Sequence, residues 1–279
     1  MTPHLSRPTL GVRIAYLFPR QMSLYGDLGN INALVRRLEW RGLTAEVLHV
    51  HPGERPSFQN VDLVFMGGGQ DRGQQLVAEH LLAMGQDIRE QVQAGLPALV
   101  VCGGFQLFGR SFRTVGGEEL PGISVFNART VGSARRYIGN VVVDATAVVR
   151  RWKAEAEHSG LGELATDWPS TLVGFENHSG LTHLSGDTLT LGPVLQGYGN
   201  LGDGSGEGAI VRNVVGTYLH GPVLPKNPHL ADWLLLAAMR RRYGEAATLQ
   251  PLDNRVELTA HGAAIERAAT ARTSHLFQH

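Results

Sequence analysis

Through the first hundred residues, uncharged apolar runs alternate with segments of helical period. Val12-Arg13-Ile14-Ala15-Tyr16-Leu17-Phe18 is almost continuously apolar and stops at Pro19, the pattern of a parallel strand buried on both faces. A polar turn, Tyr25-Gly26-Asp27, comes next. Ile31, Leu34, Val35 and Leu38 then recur at helical spacing until Gly42 closes the helix. Strands follow at 45–50 and 61–66, the second running into Gly67-Gly68-Gly69. A helical region over about 71–94 leads into Pro97-Ala98-Leu99-Val100-Val101, another run without charge. Strands and helices in this alternation predict an α/β fold, a doubly wound, mostly parallel sheet of the flavodoxin-like kind. In such sheets a site forms beyond the carboxyl ends of the strands.

The second half carries more strand signal, at 137–144, 171–175, 209–211 and 215–219. Between these, 150–167 reads as a charged, helix-prone insertion with Trp152 and Trp168 at its edges, open to either a partner contact or a surface elaboration. Glycine content makes 197–206 a loop. A helix begins at Pro228 with Leu230, Trp233, Leu234 and Ala237 on one face. An alanine-rich stretch over 254–270 predicts a last helix, which could cover the core or reach a partner, and 273–279 is expected to fray. No repeat or linker divides the chain, so a single domain is expected over 12–245. It is preceded by a short extension (1–11) and followed by a C-terminal helix and tail (246–279).

Composition narrows the class. Of 279 residues, 43% are hydrophobic and 18% charged, and Lys+Arg equals Asp+Glu at 25 each, so nothing suggests a nucleic-acid footprint or a polybasic membrane anchor. The single cysteine excludes an internal disulfide framework and a cysteine-cluster metal site. Residues 1–13 hold no apolar stretch long enough for a signal peptide, and no run is long enough to span a bilayer. A cytoplasmic location without membrane insertion is expected.

That cysteine is the chief chemical candidate. The apolar run ends at Cys102, Gly103-Gly104 follow, and Phe105-Gln106-Leu107-Phe108 opens a helical pattern. A strand, a sharp elbow and a helix place the thiol at the tip of the turn, where its backbone is driven toward positive φ. The glycines let a substrate approach closely, and the N–H groups at the start of the helix favour thiolate and can hold an oxyanion. A thiolate that attacks an amide needs a proton carrier, usually histidine. Among 12 histidines, His220 in Thr217-Tyr218-Leu219-His220-Gly221-Pro222 ends a strand at the edge expected for Cys102. His178, in Gly174-Phe175-Glu176-Asn177-His178, competes with it.

A glycine triplet after the third strand, a cysteine elbow and a late histidine, in this order, resemble the class I glutamine amidotransferases. Cys102-Gly103-Gly104-Phe105-Gln106 is similar to the elbow of the branch associated with cobyric acid synthesis. Leu24-Tyr25-Gly26-Asp27-Leu28-Gly29-Asn30, Gly67-Gly68-Gly69-Gln70-Asp71-Arg72, Gly174 to His178, Gly216 to Pro222 and Leu224-Pro225-Lys226-Asn227 resemble the glutaminase subunits of lipid II isoglutaminyl synthases. The likeness spans about 12–245. Each glycine motif is weak alone; together and in order they are specific.

The resemblance implies hydrolysis of L-glutamine to glutamate and ammonia. By position, Cys102 would form a thioester, and His220 would protonate the departing ammonia and then activate water. N–H groups of Gly103 and of the Gly67–Gly69 turn (Gly68 and Gly69) would hold the oxyanion. Arg136, next to Arg135, would bind the α-carboxylate in the bidentate manner of a guanidinium. The family's usual glutamate two residues after the histidine is here Pro222. The site would therefore be a dyad, would use Glu176 or another acid, or would borrow one from a partner, and the missing carboxylate predicts weak activity for the isolated chain and activation by the partner.

No Gly-x-x-x-x-Gly-Lys-Ser/Thr pattern and no dinucleotide fingerprint occurs, so no cofactor is expected on this chain. The resemblance puts ATP on a partner, a Mur-ligase-like (MurT-like) synthetase that amidates D-glutamate in the lipid II stem to D-isoglutamine. Two other readings stay open. One is a glutaminase for cobyrinic acid amidation; the other is a non-catalytic regulatory module on this fold.

Overall fold

The computed structural model describes residues 10–24, 26–158 and 162–271, without the Leu164 side chain. Tyr25, the extension over 1–9 and the tail expected to fray at 273–279 lie outside the described residues. The first half follows the alternation: β1 (Gly11–Leu17), α1 (Leu28–Glu39), β2 (Thr44–Val50), β3 (Leu63–Met66), α2 (Asp71–Gln93), β4 (Ala98–Val101) and α3 (Gly103–Phe108). Next come β5 (Ser111–Arg113), β6 (Glu119–Pro121), β7 (Ala128–Asp144), α4 (Thr146–His158), α5 (Gly162–Ala165) and β8 (Thr171–Leu184). The chain continues through β9 (Val194–Gln196), β10 (Ala209–Val211), β11 (Val214–Thr217), α6 (Pro228–Tyr243) and α7 (Arg255–Thr270).

The main sheet has the order β10-β11-β4-β3-β1-β2 and is parallel except where β10 meets β11. β3 and β4 are buried at every position, which is why they read as unbroken apolar runs. The chain leaves β1 in one direction for β2 and returns in the other for β3 and β4. Right-handed crossovers therefore put α1 and α2 on opposite faces. α6 packs beside α1 over β1 and β3. A buried ion cluster fixes that layer: Asp232 of α6 accepts from Arg37 (2.6 Å) and pairs with Arg41 (2.9 Å), both near the end of α1.

A second sheet, β6-β5-β7-β8 with β9 on β7, is antiparallel except between β5 and β7. The strand signals at 137–144 and 171–175 are only the ends of its two long strands, β7 and β8. The first half of β7 carries few apolar residues, and its pairing with β8 slips between Gly132 and Tyr137, so no apolar periodicity marks it. Both sheets share one hydrophobic core, as a single domain requires.

The insertion over 150–167 is anchored to the core on one face of α4 and exposed on the other. Trp152 of α4 is fully buried and stacks on Trp233 of α6 with ring centroids 4.7 Å apart, and Trp168 is buried as well. The last helix covers the second sheet: Ala268 packs with Val142 and Val173, and the His261 ring bonds Thr171 Oγ1 and Lys226 O, both at 2.8 Å. Among the described residues no helix is long and apolar enough to cross a membrane.

Candidate active site

β4 and β11 are parallel neighbours, with Val101 opposite Thr217, so the residues that follow them emerge at one edge. Cys102 follows directly. Its backbone is at φ 50°, ψ −105°, a strained conformation for a residue with a Cβ and one that costs about 1–3 kcal/mol. Two bonds clamp the elbow: Cys102 N–H donates to Thr217 O (2.8 Å) and Gln106 N–H to Cys102 O (3.0 Å). The glycines after it are required by contact. A Cβ on Gly104 would lie 2.8 Å from Met66 O and 3.0 Å from Gly67 O. One on Gly103 would lie 2.9 Å from Gly69 N and overlap Gln74.

His220 stands three residues beyond β11, fully buried. Its N–H donates to Phe175 O (2.7 Å) and its carbonyl accepts from Phe175 N–H (3.2 Å), so β8 of the second sheet buttresses it. Gly68 packs into the corner between the two candidates. A Cβ there would lie 2.9 Å from His220 Cε1 and 3.3 Å from the Cys102 Cβ. Burial alone would lower the His220 pKa, but the negative sulfur of Cys102 and the Asp27 carboxylate outweigh it and raise it to about 10.

Asp27 is the residue that sequence reasoning missed. It is fully buried, with Oδ1 3.5 Å from His220 Nδ1, while Oδ2 accepts the Gly68 N–H at 2.6 Å. That bond takes the Gly68 amide away from the oxyanion role expected of it. The signal was present in Gly26-Asp27-Leu28-Gly29-Asn30, because all three polar or glycine positions after Gly26 serve the segment after β11. Asp27 faces His220, Gly29 leaves room for the Pro222 ring, and Asn30 Oδ1 accepts the Leu224 N–H at 2.9 Å. Pro222, standing where the family's glutamate would be, is thus packing rather than polar.

Neither Glu176 nor His178 reaches the cysteine–histidine pair as acid or base. Glu176 accepts N–H bonds from Tyr198 (2.6 Å) and Gly199 (2.9 Å) and lies 3.4 Å from His178. His178 stacks on Tyr218 with centroids 3.8 Å apart and bonds Gly180 O through Nδ1. Behind Cys102 a buried chain runs from Gln74 through Gln106 and the Tyr218 hydroxyl to Thr182 and Thr130.

Cys102 opens into a cleft of about 350 Å³ whose other walls include Gly69, Gln106, Arg136, Asn177 and His178. Arg136 comes from the slip in β7, where residues 133–136 face Ser179 alone, a bulge that re-aims side chains. Its Nε donates to Asn177 Oδ1 at 2.6 Å. Arg135 is turned away, its guanidinium 5.0 Å from the Tyr137 ring centroid and 5.5 Å from that of Tyr198. The structure thus brings Cys102, His220, Gly68, Gly69 and Gly103 together and puts Arg136 on the far wall of the same cleft. Among the described residues no group of three or more His, Cys, Asp or Glu could hold a metal ion.

Comparison with known proteins agrees with this arrangement. Over residues 13–228 the chain matches the CobB/CobQ-like glutamine amidotransferase domain. It is 34% identical over 261 residues to the GatD subunit of lipid II isoglutaminyl synthase (glutamine-hydrolyzing) from Staphylococcus aureus, covering 94% of this chain and 98% of that one. The GatD subunit from Streptococcus pneumoniae is 34% identical over 246 residues, covering 87% and 86%. A cobyric acid synthase from Synechococcus sp. is 28% identical over 89% of this chain but only 44% of its own length. A solved glutamine amidotransferase from Thermotoga maritima superposes with a TM-score of 0.50 over 93% of this chain and 99% of its own, at 17% identity, a likeness of fold alone. With its cysteine elbow, late histidine and glycine turn set at one sheet edge, the chain belongs to the CobB/CobQ-like glutamine amidotransferase family.

Proposed function

We propose that this chain is a glutaminase subunit that supplies ammonia for amidation of the D-glutamate of lipid II in peptidoglycan synthesis. The observation that carries the chemistry is the Cys102–His220 pair, with Cys102 lining a cleft that Arg136 also lines. Glutamine would lie with its α-carboxylate on Arg136 and its side-chain amide at the sulfur. Cys102 Sγ attacks the amide carbon, and the oxyanion is held by the N–H groups of Gly69 and Gly103. His220 gives its proton to the leaving nitrogen, ammonia departs and a thioester stays on Cys102. His220 then takes a proton from water, the hydroxide attacks the thioester, and glutamate leaves as the thiolate re-forms.

Identity supports this acceptor. The two GatD relatives are 34% identical over 94% and 87% of this chain, whereas the two cobyric acid synthases are 29% and 28% identical over 66% and 89% of it. ATP would be bound by a Mur-ligase-like partner that receives the ammonia, and the pair would work in the cytoplasm. Both reacting side chains are in place and buried together, which weighs against a purely regulatory module.

The test has two stages. The purified chain should release glutamate from L-glutamine and be labelled by 6-diazo-5-oxo-L-norleucine at Cys102. Mild affinity purification from native cells should bring down a Mur-ligase-like protein in stoichiometric amount, and the pair should amidate lipid II with glutamine and ATP. A corrinoid-pathway synthetase in its place moves the acceptor to cobyrinic acid, and absence of labelling ends the glutaminase reading.

A further inference from the structure

We infer that Asp27 positions His220 and, through its second oxygen, locks the imidazole and the Gly67–Gly69 turn into one unit, leaving the oxyanion to Gly69 and Gly103. The inference rests on the glutaminase reading for its catalytic meaning, though not for its geometry. A fully buried carboxylate is costly unless it is hydrogen-bonded or paired, and here one oxygen accepts a hydrogen bond while the other stands at ion-pair distance from the imidazole. Oδ1 lies 3.5 Å from His220 Nδ1, and Oδ2 holds the Gly68 N–H at 2.6 Å. An acid on Nδ1 fixes the proton there and turns Nε2 toward the sulfur, the tautomer that proton transfer needs.

The groups packed around His220 leave Asp27 as the acid for this role. Cys102 and Asp27 are the charged groups that act on the ring. From β8 the Phe175 backbone reaches His220, and the Glu176 carboxylate is held by Tyr198 and Gly199. From the segment after His220, Pro222 offers no carboxylate and packs on Gly29. Asn30, one turn along α1, is bonded to Leu224. The acid that many relatives place two residues after the histidine therefore arrives from the other end of the chain. It stands in cis, so the isolated subunit has an orienting acid without borrowing one.

Because Asp27 touches no substrate, the test needs a readout that packing alone does not move. In Asp27→Asn the amide carbonyl can still accept the Gly68 N–H, while the –NH2 faces Nδ1, so the glycine turn is kept and the imidazole link is lost. Two measurements follow on the full chain: the rate of Cys102 alkylation by iodoacetamide against pH, and kcat and KM for glutamine hydrolysis. The expected result is a fall in alkylation near neutral pH, with reactivity moved to higher pH, and a kcat about 100-fold lower. KM should change little. An alkylation profile that overlays the parent, with kcat preserved, overturns the proposal.

A measurement on the unsubstituted protein guards against a variant that fails to fold. Nitrogen NMR of His220, recorded at a pH high enough that the ring is neutral, should show the remaining proton on Nδ1, and a neutral ring protonated on Nε2 overturns the assignment. Should the parent chain hydrolyse no glutamine, the glutaminase reading fails, while the alkylation profile and the NMR spectrum still decide the role of Asp27.

Discussion

The two sheets contribute unequally to the site. The parallel sheet brings the reacting groups: Cys102 after β4, His220 after β11, the glycine turn after β3 and Asp27 in the turn after β1. Each lies just past a strand end, so one edge collects four pieces from four distant parts of the chain. The antiparallel sheet brings no reacting atom. It supplies the far wall, with Arg136 on its bulge and Asn177 steering it, and it braces His220 through the Phe175 backbone. On the proposed function one region sets the chemistry and the other recognises what is to be cut, and separate substitutions can separate those contributions.

The sharpest test falls on the parallel edge. Cys102→Ala should abolish glutamine hydrolysis, a loss of at least about 1,000-fold, and should remove labelling by 6-diazo-5-oxo-L-norleucine. Thermal unfolding should change little, because alanine keeps the Cβ held at φ 50° and the substitution removes only a sulfur that lines the cleft. Turnover that survives in this variant would put the nucleophile elsewhere. On the opposite wall the expectation is different in kind. Arg136→Ala should raise KM for glutamine about 10- to 100-fold, the worth of a charge-assisted bond, and leave kcat nearly unchanged. Arg135→Ala is its control. That side chain packs on two tyrosines and should alter KM little. If both substitutions acted equally, or if Arg136→Ala acted on kcat alone, the division between chemistry and recognition would collapse.

The same division governs what could be read in advance. The elements of the parallel sheet are legible because burial on both faces writes an unbroken apolar run, and Cys102 and His220 are legible because each ends such a run. The long strands of the second sheet are not. β7 has few apolar residues in its first half, carries four residues opposite one at its slip, and is interrupted by Gly132 and Gly139, so only its apolar end shows. α4 hides its role for a related reason: its residues are mostly polar, and the one that matters, Trp152, is buried by α6 from 81 positions later in the sequence (Trp233 minus Trp152). Asp27 is a third case. Aspartate just before a helix reads as a cap, yet its side chain caps nothing and is turned into the site by contacts with His220 and Gly68. Periodicity registers which face is buried; it carries no information about which distant residue a polar side chain meets.

The seam between the two regions gives the smallest effect. Glu207 lies in the loop before β10, fully buried. Its Oε1 accepts from the Thr217 hydroxyl (2.6 Å) and the Tyr218 N–H (2.7 Å), at the end of the strand that leads to His220. Burial, more than any other cause, raises its pKa from 4.5 to about 6. The Thr217 and Tyr218 bonds and His178 oppose that rise, and Glu176 adds to it. The folded state therefore holds this proton more tightly than the unfolded chain does. The resulting stability is fully present below about pH 4.5 and is lost as pH rises through about 6, a change of about 2 kcal/mol. Glu207→Gln keeps an oxygen for Thr217 and Tyr218 and has no proton to lose. Its unfolding free energy, measured by urea titration at several pH values, should lack that decline, so the variant gains on the parent by about 2 kcal/mol between pH 4.5 and 7. Curves that run parallel over this range would mean that Glu207 titrates as an ordinary carboxylate, and that the seam behind His220 is wetter than its burial implies.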